Sequence, residues 1–199
     1  MKLLKHPGAS ALTALTALLL SPTSAAAADG ASDQDSAQVS VNGRVARLCI
    51  LGEPSRPVVD LGQMAQTSGA NVGRISALPA QTVTLPSSFC NFAGSVVSVT
   101  ANALVGDAVG TPPTGFANAV NYTATASGWG DADASVTTNA AADGSEGESS
   151  AFGGTQADPR LTDIDLQLAT YSVPGNALLI AGGYTGQVTV TLGPVPISE

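Results

Sequence analysis

The chain has 199 residues and a formal net charge of −8, from seven Lys and Arg against fifteen Asp and Glu. Hydrophobic residues at 44% can fill a core, whereas aromatics at 4% and the acidic balance exclude a base-stacking platform and a basic footprint for nucleic acid or anionic lipid. Gly 22 and Pro 12 point to many turns.

In chain order, Lys2, Lys5 and His6 precede an apolar stretch from Ala9 to Leu20, and Ala26 and Ala28 stand at the −3 and −1 positions of a cleavage before Asp29. The stretch is about a dozen residues, short of the roughly 20 that cross a bilayer. Residues 1–28 therefore read as a secretory signal peptide. No second long apolar run follows, so the sequence predicts a secreted product without a membrane span. N-terminal sequencing of the exported protein is expected to begin at Asp29; a start at Met1 would contradict this reading.

Removing 28 of 199 residues leaves 171, with five arginines (Arg44, Arg47, Arg56, Arg74 and Arg160) against all fifteen acids, a net charge of −10. Both lysines and the one histidine depart with the signal. The mature chain cannot build a Ser-His-Asp or Cys-His arrangement, a lysine Schiff base or a His-bound zinc site. No enzyme activity and no cofactor are expected. Two cysteines remain, Cys49 and Cys90, and in an oxidising compartment they read as one structural disulfide.

Residues 29–41 open with the polar DGASDQDSAQ and form an N-terminal extension; residues 42–199 form the domain. Val39 to Leu51 is β-branched and roughly alternating, which predicts a strand, and Pro57 to Gly62 predicts a short one. Gln66 to Pro79 has no firm pattern. Strands are expected at Gln81 to Cys90, Ser95 to Leu104 and Ala119 to Ala126. Pro112, Pro113 and Gly115 break the segment before the last of these.

Ser127 to Pro159 turns to Gly, Ala, Ser and acid and reads as a long loop. Its six acids (Asp131, Asp133, Asp143, Glu146, Glu148 and Asp158) are oxygen ligands that suit Ca²⁺, but their spacing excludes an EF-hand, and a solvated acidic loop is the expected state. Trp129, the one tryptophan, is expected to plug an end of the domain rather than to hold a carbohydrate. A paired-carboxylate glycosidase needs two carboxyls about 5–10 Å apart in a sugar-binding cleft, which one tryptophan serves poorly. Asn121-Tyr122-Thr123 fits a glycosylation sequon but reads as an ordinary strand.

Ile164 to Tyr171 is the cleanest alternation, with Ile164, Leu166 and Leu168 on one face and Asp165 and Gln167 on the other. Ala177 to Ile180 leads into Tyr184 to Leu192, where Val188, Val190 and Leu192 alternate with Thr189 and Thr191. No amphipathic helical pattern exists beyond the signal. Short strands with turn residues between them predict an all-β antiparallel sandwich.

The strand VNGRVARLC, the VVDLG after it, the second cysteine of TVTLPSSFC and the late AGGYTGQVTVTL together resemble the subunits of chaperone–usher fimbriae, most closely the archaic branch with the spore coat protein U-type domain. The matching motifs are Asp60-Leu61-Gly62, Trp129-Gly130-Asp131 and the strand from Gly183 to Val190, and the resemblance covers residues 40 to 192. It implies an immunoglobulin-like sandwich that lacks one strand. A periplasmic chaperone would fill the gap first, and at an outer-membrane usher the extension of another subunit would replace it, giving a fibre at the cell surface. On that reading Ala37, Val39 and Val41 are the donor residues, and the strand carrying Val188, Val190 and Leu192 borders the accepting groove. The acids Asp33 and Asp35 would stay at the groove mouth, in water. The alternative is a secreted monomeric β-sandwich that binds a carbohydrate or a cell surface.

Overall fold

A computed structural model describes residues 36–108, 110–145 and 149–196. The expected signal peptide and the extension as far as Asp35 lie outside the described residues, as do Glu146 and Glu148. The chain divides into two units, residues 1–43 and 44–199. In the first, the described residues 36–43 form no strand, and Val39 and Val41 are 81% and 91% exposed.

The second unit is all-β. Its strands are β1 (Cys49–Ile50), β2 (Gln81–Cys90), β3 (Ser95–Ala101), β4 (Leu104–Gly106), β5 (Phe116–Ala117), β6 (Ala119–Ser127), β7 (Ala134–Thr137), β8 (Ser149–Phe152), β9 (Arg160–Ser172), β10 (Leu178–Leu179), β11 (Tyr184–Thr185) and β12 (Val188–Pro194). Among the described residues the sole helical piece is the 3₁₀ turn Pro174–Asn176. A seven-stranded sheet runs β1-β2-β9-β6-β4-β11, with β7 also on β6. A three-stranded sheet runs β12-β3-β8, and the short pair β10-β5 is parallel. β7 packs against both β3 and β8, so the large sheet curls toward the small one on that side.

The two-residue period explains the core. β9 sends Ile164 and Leu166 inward and leaves Asp163, Asp165 and Gln167 exposed. Val83 and Leu85 of β2 join them, and Val97, Val99 and Ala101 of β3 meet them from the small sheet. β6 contributes Ala124 and Ala126, fully buried. Burying each Val, Leu or Ile contributes about 1.5–3 kcal/mol.

Several elements differ from expectation. The strand expected over 39–51 shrinks to Cys49–Ile50, because β2 ends at Cys90 and the backbone pairing stops with Asn91 N donating to Leu48 O at 3.1 Å. Upstream, Asn91 takes over: its side chain accepts from Leu48 N at 2.8 Å and donates to the Ala46 carbonyl at 2.8 Å. Residues 57–62 form no strand. The expected strand 95–104 is two, since the chain leaves the small sheet after Ala101 and enters the large one at Leu104. The expected long loop 127–159 contains β7 and β8. Ala134 and Val136 face inward there, and Ser135 and Thr137 pair with Thr125 and Thr123 through hydroxyls at 2.8 Å.

Cys49 and Cys90 are disulfide-bonded across the β1–β2 pair, with Cα atoms 4.2 Å apart. The bond ties the start of β1 to a cysteine that is fully buried.

Candidate functional site

On the side of β12 the large sheet meets the small one at β1 and separates from it beyond that contact. β12 is the end strand of its sheet, and among the described residues it pairs with β3 alone. Its outer edge therefore presents backbone donors and acceptors without a ladder partner. Val188, Val190 and Leu192 are half-buried on one face of β12, and Thr189 and Thr191 are exposed on the other.

Facing β12 across a gap is the segment 51–61. It follows the edge of β2 without becoming a strand. Ser55 N donates to Thr84 O at 2.8 Å, Thr84 N to Ser55 Oγ at 3.1 Å, and Gly52 N to Ser88 Oγ at 3.1 Å. Arg56 Nη2 donates to Thr82 O at 2.8 Å. Pro54 and Pro57 lack the N–H that a regular ladder requires. Gly52 is needed because its Cα lies against the Pro86 carbonyl, where a Cβ would collide with backbone. Asp60 ends the segment: its Oδ1 accepts from Gly62 N at 2.8 Å, and Gly62 has a φ of 64°. The Asp-Leu-Gly motif is thus a side-chain-closed turn at the end of a wall.

Between these two walls lies a groove of about 580 Å³. Its floor is the core itself: Val83, Leu85, Leu166 and Leu168, with Leu104 at one end. Val188 and Val190 of β12 line it, while Leu192 packs on the core beyond it. Arg56 is the one charged residue among those that line it. All three tyrosines of the chain line it as well. Tyr122 donates to Asn102 O at 2.8 Å and Tyr184 to Ile180 O at 2.8 Å, and the rings of Tyr122 and Tyr171 stand 6.1 Å apart. Burial pushes the Tyr171 and Tyr184 hydroxyls above the ordinary phenol range. The groove is mostly apolar and its three tyrosine hydroxyls donate to backbone carbonyls, so it can take apolar side chains and hydrogen-bond an extended backbone along β12.

The other sequence-level candidates are not part of this site. Trp129 is 1% exposed, and its Nε1 donates to Ser95 Oγ at 3.3 Å. Asn121 is buried, donates to Ala140 O at 3.0 Å and accepts from Ala140 N at 2.7 Å, so its amide is structural and closed to a glycan. Among the described residues no group of three or more His, Cys, Asp or Glu converges on a common point. Asp143 Oδ1 is occupied by Ser145, which donates from N at 3.0 Å and from Oγ at 2.6 Å and holds its carboxyl below the ordinary range.

Of the residues the sequence singled out on β12, Val188 and Val190 line this groove and Leu192 does not; the opposite wall and the tyrosine lining were not anticipated. The proline-spaced PSRPVVDL segment carried a signal for that wall: apolar residues beside a strand they cannot fully join. No protein-family model, no curated protein and no solved structure matches this chain.

Proposed function

We propose that this chain is a structural subunit of an extracellular fimbria, pilus or coat, assembled by donor-strand complementation. The domain is then an immunoglobulin-like sandwich short of one strand, and the missing strand belongs between β12 and the segment 51–61. The observation that supports this most is the groove: its floor is hydrophobic core, and one wall is a strand with a free hydrogen-bonding edge. An incoming strand would place alternate side chains on that floor while its backbone extends the ladder, which is β-augmentation. Residues 29–41 supply such a strand, with Ala37, Val39 and Val41 at two-residue spacing and both valines exposed. A contact from one copy's extension to the next copy's groove is head-to-tail and does not close on itself, so it propagates a fibre. A periplasmic chaperone and an outer-membrane usher are the partners the sequence resemblance implies.

The double substitution Val39→Asp and Val41→Asp tests the reading. It touches exposed side chains, so the domain is expected to keep its stability within about 0.5 kcal/mol. Fibre formation is expected to disappear, because each carboxylate would enter an apolar groove unpaired at a cost of several kcal/mol. Electron microscopy and sedimentation read the result, and fibres from the double variant would sink the proposal. The competing account, a monomeric binding module, draws support from the three tyrosines in the groove and predicts a stable wild-type monomer.

A further inference from the structure

The outer face of the large sheet is polar along most of its length. Thr82, Asp163, Asp165 and Gln167 are exposed there, and Thr84 Oγ1 donates to Asp165 Oδ1 at 2.7 Å. At the disulfide end the pattern breaks. Ile50 of β1 stands opposite Phe89 of β2, and Phe89 stands opposite Leu161 of β9, so three neighbouring strands contribute one apolar row. The adjacent row, Cys49, Cys90 and Arg160, includes the buried Cys90, which turns the apolar row outward. Leu48, two residues before Ile50, extends the patch. Leu48, Ile50 and Leu161 are 49%, 51% and 67% exposed. Single exposed apolar side chains need no explanation, but a contiguous patch across three strands marks a contact surface.

We infer that Leu48, Ile50, Phe89 and Leu161 form a second docking surface, covered in the assembled fibre by the copy that receives this chain's extension. The inference rests on the donor-strand reading above. Two observations name the occupant as a second copy. The first is chain length: Leu48 follows Val41 by seven residues, which span at most about 25 Å when extended. A copy that grips Val41 therefore sits beside the root of β1. The second is charge. Arg44 and Arg47, two of the five arginines left after the signal is removed, are exposed next to the patch, and Arg47 lies 4.5 Å over the Phe92 ring. No acid occurs between Asp35 and Glu53. A copy carrying a net −10 is complementary to that edge.

The grip on the extension and the docking of the two domains are then separate contributions, and they can be separated by mutation. Ile50→Glu with Leu161→Glu, made in the full mature protein, leaves residues 29–43 and the groove untouched. The expected result is a folded, disulfide-bonded monomer whose critical concentration for fibre growth rises at least tenfold, measured by sedimentation. Growth at the wild-type concentration would overturn the inference. If the glutamates unfold the domain, Ile50→Ser with Leu161→Ser carries the same test with the same two outcomes. The Val39→Asp, Val41→Asp variant runs beside it. Fibres from that variant overturn the donor-strand reading itself, whereas loss of its fibres together with normal growth of the patch variant overturns the docking surface alone.

Discussion

Replacing both Cys49 and Cys90 with Ser is expected to lower the unfolding free energy by about 4 kcal/mol, the chain-entropy value for a loop of this size. The cysteines are 41 residues apart, and the loop they close includes the whole segment 51–61. Little else holds that segment in place: β1 is two residues long, and the wall beyond it meets β2 through a few hydrogen bonds. The effect is therefore expected in two places. Urea unfolding should show the global loss, a large fraction of the 5–15 kcal/mol typical of a domain. Amide exchange should show residues 51–61 opening well before the strands of the large sheet, because local opening follows local contact density. A loss under about 1 kcal/mol would mean that β1 and its wall are held by something other than the bridge.

Trp129→Ala is expected to cost about 3–5 kcal/mol, the range for removing a fully buried aromatic. The indole is 1% exposed within the main core cluster and meets Ser95 across the gap between the sheets. Its backbone carbonyl accepts from Arg160, which also donates to Gln156 Oε1 at 3.1 Å. Gly130 follows with its Cα against the Gly154 carbonyl, which leaves no room for a Cβ. Trp129 and Gly130 are thus packing residues, and the tryptophan is buried in the core rather than presented to a carbohydrate. Thermal unfolding of the variant checks the cost, and an unchanged midpoint would show that the indole is dispensable to the core.

What could be read from the sequence followed the strength of its alternation. β2, β9 and β12 alternate between a more buried and a wetter face, whereas β6 alternates only after Tyr122, and Ile164–Asp165–Leu166–Gln167 shows why: side chains of opposite character sit on opposite sides of the pleat. β7 and β8 were hidden because their inward residues include Ala134 and Ala151, and alanine, serine and threonine give little contrast between faces. The reverse error occurred at Val39 to Leu48, where the pattern is that of a strand but, among the described residues, no strand pairs with it and Asn91 alone bonds its end, at Ala46 and Leu48. Alternation records what a segment can pair with, and pairing needs an edge in reach. Of the two walls of the groove, only β12 carries a local sequence pattern. Val188, Val190 and Leu192 belong to a regular strand, whereas the opposite wall is held by Gly52, Ser55 and Arg56 through contacts about 25 to 36 residues away in the chain, which no local pattern encodes.

The most direct test follows two segments at once by hydrogen exchange: residues 36–43 and residues 187–194, in assembled particles of the wild type and in the Val39→Asp, Val41→Asp variant. The account predicts that residues 36–43 and the amides on the outer edge of β12, those not bonded to β3, exchange fast in the variant and become protected together in wild-type particles, since one extended strand satisfies that edge while burying its own valines. Fast exchange of residues 36–43 in wild-type particles, or slow exchange of the outer edge of β12 in the variant monomer, would contradict it.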